Sequence, residues 1–191
     1  MNPWKMLSYV LASLAAVGSL AMLAGTGISG GGGATRHDIP GVSSDTSMQE
    51  AALAEASVKS LDGKVIPIKS YRGKWLLLNI WATWCGPCRA EMPDLQSIWL
   101  QEHPAGLEML GVSSEEPTAL WMFLAHQTGP NPVKYPIATD PGGQLSQAVG
   151  VDAIPRTFIL NPEGHVVFDM ANMGNKAIFL SALKSAGFPV R

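Results

Sequence analysis

The longest apolar run lies at the start of the chain, from Met6 to Ile28, and no charged residue falls between Lys5 and Arg36. About twenty apolar residues can cross a bilayer, so this run has the length of a membrane-spanning helix. It equally resembles an export signal, with Lys5 as a short positive end before a long apolar centre. Its uniform apolarity disfavours a core helix, which would show one polar side. Both export readings place the rest of the chain outside the cytoplasm. With no lipobox cysteine, an anchor here is the helix itself. The expected organisation is an anchor or signal at 1–29, a flexible linker at 30–56 and a globular domain at 57–191. The linker is rich in Gly, Ser and Thr and ends in a short helical lead-in from Met48.

Within the globular part the period alternates between strand and helix. "VKSLDGKVIPIKSYRGKW" predicts two short strands with turns at Asp62-Gly63 and Arg72-Gly73. "WLLLNIWA" from Trp75 is almost continuously apolar, as a strand buried on both faces is. A helix is expected from Pro87 to His103, with Leu95, Ile98 and Trp99 on one side, and "LEMLGVS" from Leu107 is a second central strand. "EEPTALWMFLAHQ" predicts a helix with Pro117 in its first turn. In it Trp121 reads as a core or groove filler and His126 as a dipole contact at the helix end. "YPIATD" is a short strand and "GGQLSQAVGV" a short helix. "RTFILN" and "HVVFDM" form a hairpin over Pro162-Glu163-Gly164, and a last amphipathic helix stops at Gly187. Strands alternating with helices imply an α/β sheet covered on both faces.

Composition adds one exclusion. A net charge of −2 leaves no basic footprint, which argues against a nucleic-acid partner. The two cysteines, Cys85 and Cys88, are too few for a disulfide-built fold. A bond across two residues closes a small loop and stabilises the folded state little. A zinc site needs four ligands, and no second pair exists; His37, His103, His126 and His165 are not at ligand spacing from the cysteines. No metal or other cofactor is expected.

The pair sits in "WATWCGPCRAEMP", where a buried strand gives way to a helix. Unpaired N–H groups and a partial positive charge at a helix start favour thiolate over thiol. Cys85, at the helix mouth and exposed, reads as the attacking thiol. Cys88, three residues on, lies on the same side and within bonding reach as the resolving thiol. Pro87 suits a first turn, and Gly86 has no side chain to shield the sulfur. Two buried free cysteines packed as small hydrophobes are the bland alternative.

"WATWCGPCRAEMP" followed by "IPRTFIL" resembles the exported TlpA/ResA/DsbE branch of thioredoxin-like proteins. "LGVSSEE" and "YPIATDPGGQLSQAVGVDAIPRTFILNPEGHVV" fit that branch in order, over about Leu61 to Val167. The resemblance implies a thioredoxin-like fold: a mixed central sheet flanked by helices, an N-terminal β-extension and a helix-strand insertion near Glu115–Tyr135 that could shape partner choice. It implies a cis bond at Ile154-Pro155 facing the cysteines, beside which an extended substrate strand pairs. Trp84, Gly86, Pro87, Ile154 and Pro155 would then line the substrate groove. Glu91 resembles that branch's glutamate near the resolving cysteine, a candidate proton relay for Cys88; the alternative is a first-turn residue serving the helix dipole. Asn79 stands where cytoplasmic thioredoxins carry a buried aspartate, and Arg156 stands where DsbE-type proteins carry an acidic residue. Arg156 reads as a solvated edge residue or a steering charge.

The implied activity is reduction of partner-protein disulfides through Cys85 and Cys88. The partners it suggests are apocytochrome c or metallochaperone thiols, with an upstream membrane thiol donor. A disulfide oxidase or general exchange protein is the alternative in the same class. A non-enzymatic copper chaperone is the alternative outside it, since thiolates suit Cu(I). Copper carriers on this fold space their cysteines one residue wider. A peroxidase would need a Pro-Thr-x-x-Cys segment, which the chain lacks.

Overall fold

The computed structural model describes residues 46–128 and 132–191. The expected anchor at 1–29 and the glycine-rich part of the linker lie outside the described residues. Among the described residues no helix is long and apolar enough to cross a membrane.

Seven strands form one mixed sheet: β1 (Ser57–Ser60), β2 (Val65–Pro67), β3 (Trp75–Ile80), β4 (Leu107–Ser113), β5 (Ile137–Thr139), β6 (Arg156–Leu160) and β7 (Val166–Ala171). Their order is β2-β1-β5-β4-β3-β6-β7. Strands β3, β4 and β5 run parallel, with Leu77 opposite Met109 and Val112 opposite Ala138. Strands β6 and β7 continue the sheet antiparallel from β3, and β1 and β2 antiparallel from β5. The helices are α1 (Thr46–Glu55), α2 (Gly86–Glu102), α3 (Pro117–Ala125), α4 (Gln144–Ala148) and α5 (Lys176–Ser185). Of the helix-strand insertion expected near Glu115–Tyr135, α3 is the helix; among the described residues no strand falls inside that segment, and the next one, β5, starts at Ile137.

The pleat sorts β3 between two apolar layers. Leu76, Leu78 and Ile80 join Leu53 of α1 and Leu145 of α4 on one face. Leu77 joins Leu95 and Ile98 of α2 and Phe179 of α5 on the other. This is why "WLLLNI" carries no polar alternation: each face has its own helix cover. Full burial of each of these leucines contributes roughly 1.5–3 kcal/mol. Asn79 points to the α2 face, the one polar break in the run, and its partners are in the site.

Helix α1 corrects the expected linker boundary. Leu53 is 1% exposed, and Glu50 accepts a hydrogen bond from Val166 N–H (2.9 Å), so residues 46–55 are folded onto the sheet. Leu53, with Ala52 beside it, supplies the apolar contact that the Gly- and Ser-rich stretch before the helix lacks. Of the two expectations for Trp121, the core position is corrected. Trp121 is 56% exposed, while Leu120, its neighbour on α3, is the fully buried residue. Phe123 also packs inward, tilted against Trp81 with ring centres 5.4 Å apart. His126 Nδ1 lies 2.7 Å from Met122 O at the end of α3, where a helix-end contact was expected.

Candidate active site

Strand β3 ends in a fully buried core, and the chain leaves it through Trp81–Trp84 into α2. Trp81 is 1% exposed and packs with Ala82, Cys85, Cys88, Met92 and Leu120 in a third apolar cluster. Glu115 fixes the loop from the other side. Its carboxylate accepts from Thr83 N–H and Thr83 Oγ1, both at 2.6 Å, and from Ser113 Oγ at 3.0 Å. Thr83 and Glu115 are 32 residues apart, and no local pattern marks them as partners.

Cys85 is the N-cap of α2, with φ −78° and ψ 107°, and its Sγ accepts from Cys88 N–H at 3.2 Å. The first-turn donor that a helix leaves unpaired is thus aimed at the sulfur. Pro87 occupies the first turn, where a missing N–H costs nothing. Cys85 and Cys88 form a disulfide, S–S 2.07 Å. Cys85 is 5% exposed and Cys88 1%, so the expectation of an exposed Cys85 is corrected. Both cysteines belong to the third apolar cluster, whereas Gly86 and Pro87 are exposed and Trp84, next to Cys85 in the chain, is 73% exposed.

The Ile154–Pro155 peptide is cis, and Ile154 O lies 3.9 Å from Cys85 Sγ. This brings the β5–β6 region, 69 residues on, to the pair. Pro155 O accepts from Asn172 N–H at 3.0 Å, in a loop where Asn172 takes a left-handed φ of 80°. Met173, next in that loop, is 52% exposed. Arg156 follows the proline but is neither solvated nor free to steer. Its guanidinium grips Asp169 through both carboxylate oxygens, with Nη2 to Oδ2 at 2.7 Å. The bond to Asp169 holds its pKa above the ordinary value. The cause of the correction is register: β6 and β7 pair Phe158 with Asp169, which sets the carboxylate within reach of the arginine.

Glu91 sits one turn beyond Cys88 on the same side of α2 and is 1% exposed. Its Oε1 accepts from Asn79 Nδ2 (2.8 Å) and its Oε2 from Gly174 N–H (3.0 Å). Asn79 Nδ2 also reaches Thr157 Oγ1 at 3.0 Å. The carboxylate therefore belongs to a buried polar set between β3, β6 and the β7–α5 loop, not to the helix dipole. Burial pushes its pKa up to about 6; the Gly174 and Asn79 hydrogen bonds pull against that, and Asp94 adds a small upward push. The Glu91 charge and full burial both raise the pKa of Tyr135, burial more. The aspartate-to-asparagine departure at position 79 thus supplies a donor that a carboxylate there would not.

Residues 48–169 match the AhpC/TSA family. The thiol-disulfide oxidoreductase ResA of Bacillus thuringiensis subsp. konkukian is 32% identical over 110 residues, 58% of this chain and 62% of that protein. The chain thus spans about three-fifths of that relative's length. Two solved structures share the fold. The exposed lipoprotein thioredoxin Etrx1 of Streptococcus pneumoniae has a TM-score of 0.60 and 26% identity, over 69% of this chain and 99% of that one. A thiol:disulfide interchange protein DsbE from Chlorobium tepidum has a TM-score of 0.62 and 24% identity, over 69% and 92%. The fold and the match over residues 48–169 agree with these likenesses: the chain belongs to the AhpC/TSA family, has a thioredoxin-like fold and is similar to ResA.

Proposed function

We propose that this protein is an exported thiol-disulfide oxidoreductase that reduces disulfides in partner proteins. The observation that carries the reading is the Cys85–Cys88 disulfide at the mouth of α2, with a backbone N–H on the Cys85 sulfur and exposed Trp84, Gly86 and Pro87 around it. In the reduced protein, Cys85 thiolate attacks one sulfur of the partner's disulfide. That S–S bond breaks, the second partner sulfur leaves as thiolate and takes a proton, and a mixed disulfide forms. Cys88 loses its proton, attacks Cys85 Sγ and expels the partner's remaining thiolate. The partner gains two electrons and the Cys85–Cys88 disulfide returns. A dithiol donor in the membrane must then reduce it. Apocytochrome c or metallochaperone thiols are the substrate classes, and the apolar run at Met6–Ile28 is the tether. The test is equilibration of the protein with glutathione buffers and its turnover of a protein disulfide such as insulin. The expected potential is nearer the about −270 mV of thioredoxin than the about −120 mV of a strong oxidant. A strongly oxidising value would end the reductase direction.

Glu91 is assigned the proton of Cys88. A carboxyl with a pKa of about 6, one turn from the resolving thiol, is matched to accept and return a proton near neutral pH. Glu91→Gln is expected to slow resolution of the mixed disulfide about 100-fold at pH 7 and to remove the inflection near pH 6. The same variant reports on stability. The folded state raises this pKa from 4.5 to about 6, so it binds the proton more tightly than the unfolded chain does. That contribution is complete below pH 4.5 and is lost as pH rises through 6, a change of roughly 2 kcal/mol. Urea unfolding across that window should therefore differ in pH slope between the wild type and Glu91→Gln. An altered stability slope with an unaltered exchange profile would leave Glu91 a structural residue.

A further inference from the structure

Gln49 of α1 is 8% exposed and lies 36 positions before Cys85, yet its amide touches one end of the loop that faces the cysteines and, through Asp169, is linked to the other. Its Nε2 donates to Val149 O at 3.4 Å and to Asp169 Oδ2 at 3.1 Å. Asp169 in turn holds the Arg156 guanidinium. Val149 and Arg156 bound the segment that carries Ile154 and Pro155, and Ile154 O is the group 3.9 Å from Cys85 Sγ. One NH2 group has two hydrogens, so it can serve both acceptors at once.

The same side chain is a poor choice for stability alone. Gln49 Oε1 is buried with no hydrogen-bond partner among the described residues. An orphaned buried acceptor keeps its full desolvation cost, which offsets the amide's two bonds. A leucine of similar size would shed that cost and pack on the same sheet face. Arg156 would still neutralise Asp169. What leucine could not supply is a tie between the upstream end of the loop and the strand pair that holds its downstream end.

We propose that Gln49 is a positioning residue for thiol-disulfide exchange: with Asp169 and Arg156 it braces the Val149–Arg156 loop against Cys85, so that partner docking depends on α1. The proposal rests on the exchange reading of Cys85 and Cys88. Its consequence is that the helix entering the domain from the N-terminal segment is part of the active-site scaffold.

The test compares full-length Gln49→Leu with the wild type by three readouts. Alkylation of reduced Cys85 by iodoacetamide probes the sulfur without the loop and should stay within about twofold. The KM for insulin reduction should rise about tenfold with kcat nearly unchanged, since misplacing a docking group can cost up to about 100-fold. Amide hydrogen exchange should quicken about tenfold at Asn172, whose N–H donates to Pro155 O, and at Val151, whose N–H donates to Ser146 O. Asp169→Asn, which keeps an acceptor for Gln49 but weakens the hold on Arg156, should repeat the KM effect. Unchanged exchange at Asn172 and Val151 would overturn the brace. Faster exchange with an unchanged KM would overturn its part in docking. A wild type that reduces no insulin would refute the exchange reading, while hydrogen exchange would still report whether the brace exists.

Discussion

Cys88→Ser is expected to leave the protein covalently joined to its partner through Cys85, and Cys85→Ser to form no such adduct. The asymmetry follows from position. Cys85 caps α2, receives the Cys88 N–H and stands between exposed Trp84 and Gly86 at 5% exposure, while Cys88 lies inside the helix at 1%, so an incoming disulfide is expected to meet Cys85 first. A resolving thiol fixed beside the mixed disulfide acts at an effective concentration of about 10⁵ M or more, against millimolar thiol in solution. Its removal should slow release by several orders of magnitude. Mass spectrometry of the non-reduced protein after mixing with a disulfide-bearing peptide reads the adduct directly. Equal adducts from both variants would reverse or dissolve the role assignment.

Gly174→Ala is expected to destabilise the fold by about 3 kcal/mol, the upper part of the overpacking range. A Cβ at this position would run into Phe179 Cζ and stand 2.6 Å from Met170 Cε, and Phe179 is wholly buried, edge-on to Phe168 at 6.3 Å. The ring cannot retreat without opening the α5 side of the core. The backbone would move instead and take Gly174 N–H away from Glu91 Oε2. That bond lowers the Glu91 pKa, so its loss should carry the pKa further upward. Urea denaturation should show a midpoint lower by about 1–2 M. A cost below about 1 kcal/mol would mean that the ring and the thioether yield freely.

The residues behind these two effects are unequally visible in the chain. Cys85, Cys88 and Pro155 are read from short segments whose neighbours carry the signal, Gly-Pro between the cysteines and Ile-Pro-Arg-Thr at the loop. Gly174 has no such context. Its crowding comes from Phe179 on α5 and Met170 on β7, and only the folded chain puts both against one Cα. Arg156 shows the same limit from the other side. A lone arginine after a proline reads as solvated, because its partner, Asp169, is 13 residues away across a hairpin. Trp121 and Leu120 differ by a single position on α3, about 100° of helical turn, and hydropathy alone does not decide which of the two faces the sheet. The burial of Cys85 is hidden from the sequence for a related reason: a helix mouth implies access, but the folded chain packs Cys85 into one cluster with Trp81, Met92 and Leu120.

Periodicity and motif were sufficient for what depends on neighbours along the chain: the buried β3, the helix start at the cysteine pair, the hairpin over Pro162–Gly164 and the branch of the thioredoxin fold. Local sterics, hydrogen bonding and apolar spacing act within a few residues, and a sequence displays them. The tertiary structure alone decided the set around Glu91, the clamp of Glu115 on Thr83 and the reach of Gln49 to Asp169, with separations of 12, 32 and 120 residues. Those contacts follow from strand order and register, and they set the burial on which a raised carboxyl pKa depends.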